Sequence, residues 1–289
     1  MNMGIGDAYD IGWKLAAVLN GYGGENLLRS YSIERRPVAL RNVERSGVHH
    51  SVHATYSQWA AEKGPDLILS DTEEARKLKR KIAEHVLRYD GENKDHGIEM
   101  GYSFPNSPVV IPSGDEDGGK EMHPRDYIPS TKPGVRAPHI FLADGKTSIF
   151  QLYGDGYTIF DFTSEGYFAK AFKNVAASLL VPLKAVHLPD EPHARSIWQR
   201  DIVLVRPDGF VSWRSTNPPE ENLKDNTEIQ NIILISVGQR MAAHLSNGNS
   251  KVIVGATNDC SEEAPRFTSS IGNVEQDQGT IEKIGVFQM

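Results

Sequence analysis

Apolar positions along the first twenty residues recur at helical spacing, with Ile5, Ala8, Gly12, Leu15, Ala16 and Leu19 on one face and Ile11, Trp13 and Val18 filling others. This pattern predicts a buried helix over residues 5–20. Its only polar stripe is Asp7, Asp10 and Lys14, with Asp10 and Lys14 four apart and placed for an ion pair, and with the acids expected in the positive first turns. Gly21, Gly23 and Gly24 then end it. Termini are usually exposed and frayed, so a chain that opens on a helix of this kind is expected to have a segment before Met1.

After Pro37, Val38 to Glu62 reads as helix and carries His49, His50 and His53; Gly64-Pro65 breaks it. Thr72 to Arg88 resumes as a charged amphipathic helix with Leu78, Ile82 and Val86 on one face and Asp71 or Thr72 as N-cap. Gly97 to Pro112 is strand-like, with Tyr102 and Phe104 sharing a face, and Ser113 to Lys120 is a Gly/Asp/Glu loop. Beyond Pro138 the strand candidates are 139–142, 157–162, 183–188, 201–206 and 210–213. Glu165 to Leu179 is a helix, and Ile229, Ile232, Ile233 and Val237 mark a last one. Pro207-Asp208-Gly209 is a hairpin turn. From about Leu245 the chain is polar and aperiodic, an expected disordered tail.

Composition narrows the function classes. The 289 residues carry 31 Lys plus Arg against 38 Asp plus Glu, a formal charge of −7, with no basic stripe interleaved with aromatics, which argues against nucleic acid. The longest apolar run, Ile232 to Val237 with Ser236 inside it, is far short of a membrane span, and Met1 to Asp10 has no basic-then-apolar leader, so a cytoplasmic protein is expected. Cys260 is the single cysteine, which excludes an internal disulfide, a CxxC centre and a multi-cysteine zinc site.

Candidate chemistry is sparse. Gly4-Ile5-Gly6 lacks the preceding strand and third glycine of a dinucleotide fingerprint, and an extended aromatic run follows Gly154-Asp155-Gly156. His50 and His53 have metal-ligand spacing but no third partner, so no metal is expected. His139 and Arg136 are read as structural, Asp201, Arg206 and Asp208 as turn and ion-pair residues, and the aromatics from Phe150 to Phe162 as core.

Two blocks carry a resemblance. Met1-Asn2-Met3-Gly4-Ile5-Gly6-Asp7-Ala8-Tyr9-Asp10-Ile11-Gly12-Trp13-Lys14-Leu15, followed by Tyr31 and Glu34-Arg35-Arg36-Pro37, resembles a segment of FAD-dependent aromatic monooxygenases of the phenol 2-monooxygenase and dichlorophenol monooxygenase type. Tyr127 to Ser130, Pro133 to His139, Asp201 to Gly209 and Trp213-Arg214 resemble that family's passage into its C-terminal domain.

The resemblance implies an α/β (α+β) chain: 1–112 as the helical end of a Rossmann-type FAD-binding and substrate domain, 113–138 as linker, 139–245 as a thioredoxin-like domain and 246–289 as tail. With no CxxC, the thioredoxin-like unit is expected to be redox-silent and to serve packing or oligomerisation. The family's glycine-rich loop and ribose-binding acid have no counterpart in this sequence, and the resemblance carries over only backbone groups of Met1, Asn2 and Met3 as flavin contacts, at a helix N-terminus that favours negative charge. The implied reaction is hydroxylation of a phenolic or aromatic polyketide-like small molecule, as in secondary metabolism, with FAD, NADPH or NADH, and O₂; no catalytic base is identified. Three alternatives stand beside it: a catalytically incompetent remnant, an interaction module pairing with a flavoprotein or with a second copy, and a chain whose true start lies upstream.

Overall fold

The structure, a computed structural model, describes residues 2–89, 95–113, 124–216 and 226–241. The expected tail and Cys260 lie outside the described residues, as does Met1. Among the described residues no helix is long and apolar enough to cross a membrane.

Helix α1 spans Asn2–Leu19, and α2 runs unbroken over Glu25–Lys63. The expectation of a helix starting only after Pro37 is therefore corrected. Pro37 sits inside α2, where its ring removes one backbone hydrogen bond but leaves the helix continuous. Buried Leu27, Ser30, Glu34 and Val38 sit three or four residues apart and give α2 an inward stripe. Gly64 closes it, Pro65 opens the short α3 (Pro65–Leu69), and α4 (Glu73–Arg88) starts at Thr72, whose hydroxyl accepts from the Ala75 amide at 3.2 Å. Residues His96–Gly101 form α5, which corrects the strand reading of that stretch. Only Ser103 bridges, to Val135, although Tyr102 and Phe104 do pack together, with ring centroids 5.6 Å apart, and both meet Phe210.

The second half is built on four strands: β1 (Tyr157–Asp161), β2 (Leu183–His187), β3 (Ile202–Val205) and β4 (Val211–Ser215), in spatial order β2-β1-β3-β4. β1 and β2 are parallel and joined through α6 (Tyr167–Ser178). β3 runs antiparallel to β1 and forms a hairpin with β4, with a register shift at Leu204/Val205. Helix α7 (Pro192–Trp198), which the periodicity did not announce, precedes β3, and α8 (Thr227–Ser236) follows β4. This βαβ-then-ββα sheet has the mixed α/β arrangement expected of a thioredoxin-like unit. The segment 139–142 makes a bridge between Phe141 and Ser148 rather than a strand. In the hairpin turn Gly209 takes φ +82°, a conformation that costs glycine nothing.

Alternation along β1 divides the core. Tyr157 and Ile159 face α6 and α8 with Phe172, Leu204, Trp213, Ile229 and Ile233, while Phe160 and Phe162 face α7 with Trp198, Val203, Val205 and Val211. The first of these clusters also takes in Ala17 and Leu27 of α1 and α2 and Val109, so the two expected domains pack through one core.

The α1–α2 corner is seated on the end of α8 by backbone contact. The Gly24 amide donates to the Val237 carbonyl at 2.8 Å, the Asn26 amide donates to Gly238 at 3.2 Å, and Gln239 Nε2 donates to the Tyr22 carbonyl. A Cβ on Gly24 would lie 2.3 Å from the Gly238 oxygen, and one on Gly238, itself at φ +76°, would lie 2.3 Å from the Leu27 nitrogen. Neither position has room for a side chain.

Candidate functional site

Helix α1 has the opposite polarity to the one its sequence predicts. The apolar stripe is outside, with Ile5 65% and Leu19 85% exposed and Tyr9 and Leu15 also exposed, whereas Asp10, Lys14 and Ala17 are buried. Burying two charges is tolerable only with close partners. Lys14 Nζ lies 2.8 Å from Asp10 Oδ2, the expected pair, and 2.7 Å from Glu34 Oε2 on α2. Glu34 in turn accepts both arms of the Arg206 guanidinium, at 2.6 and 3.0 Å, and the Ser107 hydroxyl at 2.5 Å. Arg206 also pairs with Asp208 in the hairpin turn, and Asp10 Oδ1 is 3.8 Å away. Its guanidinium sits 5.4 Å from the Trp13 ring centre, 5.6 Å from Phe104 and 5.9 Å from Phe210, so planar aromatic surfaces fill the space around it.

The electrostatics follow from this packing. Burial works to raise the Glu34 carboxyl, but the Arg206 guanidinium and the Lys14 ammonium overcome it and hold it at about 2. Burial works against the Arg206 charge, and Asp208 and Glu34 more than restore it. Burial pushes the Asp10 carboxyl up, against the pull of Lys14. Asp10, Glu34 and Asp208 are the one cluster of potential metal ligands among the described residues, and Lys14 and Arg206 lie among them as their counter-ions.

The sequence reading identified Asp10, Lys14, Glu34, Arg206 and Asp208 in three separate blocks and paired only neighbours. It missed that Glu34 and Arg206, 172 positions apart, form the centre of one network. Two signals were available: an i, i+4 charged pair on an otherwise apolar helix, and an arginine ending the apolar run Ile202 to Val205.

Of the expected flavin contacts, Asn2 opens α1 and Met3 lies in its first turn, half-buried. Because the helix begins at Asn2, Asp7 and Asp10 fall beyond the first turn, which corrects their expected place and leaves that turn without an acid. Its leading amides have no acceptor within the helix. Met3 and Gly6 border a groove of about 510 Å³ with Arg35, Asn42, Arg45 and Tyr102, and Arg35 Nε holds Asp7 at 2.8 Å. The other candidates sit in ring-packing and ion-pair contacts. His139 packs on Phe141 and Phe150, Arg136 lies over Phe150, His53 packs on Tyr56, and Asp201 pairs with Arg195 at 2.5 Å.

Comparison with known proteins identifies the family. Residues 1–46 match the FAD binding domain family and 130–229 match the aromatic-ring hydroxylase C-terminal family. The FAD-dependent monooxygenase apdD of Emericella nidulans is 39% identical over 253 residues, covering 86% of this chain and 39% of that protein. Phenol 2-monooxygenase of Pseudomonas sp. (strain EST1001) is 30% identical, covering 78% of this chain and 41% of that one. The rebeccamycin biosynthetic enzyme RebC, solved with reduced flavin, superposes with a TM-score of 0.64 at 31% identity over 82% of this chain and 41% of its own. The chain spans about two fifths of the length of the relatives it matches. By these matches it belongs to the family of FAD-dependent aromatic-ring monooxygenases.

Proposed function

We propose that the chain serves an FAD-dependent monooxygenase that hydroxylates a phenolic or aromatic polyketide-like small molecule using NADPH or NADH and O₂. The observation that carries this reading is the FAD-binding match over residues 1–46, on a helix whose first turn carries no acid and whose leading amides have no acceptor within the helix. That donor set fits the electron-rich pyrimidine edge of a flavin, so backbone groups of Met1, Asn2 and Met3 are the residues proposed to hold it. When bound, reduced FAD would supply the activation of O₂, with one oxygen atom going to an electron-rich ring and the other leaving as water. The chain's own part is orientation. Arg35 fixes the turn next to that edge through Asp7, and the Lys14–Glu34–Arg206 network fixes the helix behind it. We retain the division into 1–112, 113–138 and 139–245, with the sheet domain serving packing or oligomerisation rather than redox chemistry, and a cytoplasmic setting where reduced nicotinamide is supplied.

Titration of the purified chain with FAD, followed by absorbance and flavin fluorescence, tests the reading. Saturable binding in the micromolar range, followed by phenol-dependent NAD(P)H oxidation, is expected; absence of binding would sink it. The exposed stripe Ile5, Tyr9, Leu15 and Leu19 favours a second reading, an interaction module that docks on a flavoprotein or on its own copy. A colourless chain that self-associates through α1 would support that reading instead.

A further inference from the structure

We propose that Arg206 is a positioning residue that sets α1 from a distance: through Glu34 and Lys14, the β3–β4 hairpin fixes where the N-terminal turn of α1 stands. The inference rests on the proposed function only in assigning that turn to a flavin. The geometry supplies the link. Arg206 leaves β3 at the hairpin and is fully buried; its forked head spans Asp208 in its own turn and Glu34 on α2. Glu34 passes the contact to Lys14, and Lys14 to Asp10, so hairpin, α2 and α1 meet through one chain of charges. Two further contacts bind α1 to the same hairpin: the Tyr9 hydroxyl donates to the Pro207 carbonyl at 3.1 Å, and the Trp13 ring lies against the Arg206 guanidinium.

Area alone does not explain this arrangement. An apolar set of similar volume would hold the elements together at least as firmly, whereas a bidentate fork holds them in one geometry. The stripe Ile5, Leu15 and Leu19 is exposed, so beyond Ala17 and Trp13, which pack on the sheet's core, α1 is oriented from its charged side.

The test is amide hydrogen exchange on the full chain, comparing α1 over Gly6 to Asp10 with α6 as an internal control in the sheet domain. Arg206→Lys keeps the charge and loses the fork. It is expected to speed exchange in α1 about tenfold while α6 keeps its rates, the signature of local opening. Unchanged α1 exchange, or an equal rise in α6, would overturn the proposal. Should Arg206→Lys fail to fold, Asp208→Asn releases one arm of the fork and is expected to give about a threefold rise in α1 alone. Loss of α1 and α6 together in both variants would show a merely structural role and overturn it equally. FAD is added as a second probe: where wild type binds it, Arg206→Lys is expected to shift the flavin reduction potential. A wild-type chain that binds no FAD but shows the α1-specific exchange change would refute the proposed function and leave the coupling standing.

Discussion

The sheet region and the α1–α2 region stabilise themselves by opposite means. Around β1 and β3 every strand position is buried and both faces are covered with Phe, Trp, Ile and Val, so burial of apolar area does the work and register follows from alternation. In α1 and the first turns of α2 the charges are inside and part of the apolar surface is outside. The lesson is that periodicity locates a helix but does not say which face is buried. That choice depends on what the partner elements offer, and here they offer Glu34 and Arg206.

The largest effect is expected in the sheet. Trp198→Ala removes a fully buried indole and its hydrogen bond to the Pro138 carbonyl, and should cost about 4 kcal/mol in urea unfolding. A loss under about 1 kcal/mol would show that this face of the sheet is not close-packed. Next, Glu34→Gln leaves Arg206 and Lys14 buried with a neutral partner and should cost about 3 kcal/mol. The same residue sets an acid limb. Its carboxyl is held below its ordinary value of 4.5, so its contribution is complete above that pH and is lost as pH falls toward about 2. Stability measured against pH should show this limb in wild type and a flatter one in Glu34→Gln; superimposable curves would place acid sensitivity elsewhere.

How much of this was legible in the sequence differs by region in the same way. All four strands, α6, α8 and the hairpin turn were readable, because a half-buried or fully buried strand between turn residues leaves a local pattern. The run from His96 to Gly101 was not, since six residues with two glycines fit either state and packing decided. Pro37 was misread as a boundary because a proline is a local signal, while the contacts that keep α2 continuous are tertiary. In the site, the i, i+4 pair of α1 was legible and its buried partners were not. A charge–charge contact across 172 positions leaves no periodic trace.

Two smaller effects sharpen the contrast. Thr72→Ala deletes the one side-chain cap at the start of α4 and should cost about 1 kcal/mol, read as a lower unfolding midpoint. Leu19→Lys, on the exposed stripe, should change stability by no more than about 0.5 kcal/mol. It should nevertheless lower self-association in sedimentation velocity; an unchanged distribution would mean that the stripe is not the contact surface.

The meeting of Gly24 with Gly238 also sets a timetable. Gln239 reaches Tyr22 across 217 positions, and the glycine backbones beside them touch too closely for anything else to take either place. During synthesis the corner of α1 and α2 emerges well before its seat, which is not complete until Val237, Gly238 and Gln239 have left the ribosome. Contacts this distant in sequence form late and slowly. While those 217 positions are being made, these two helices therefore lack that seat, with an apolar side open to whatever the ribosome exit and its attendant chaperones present.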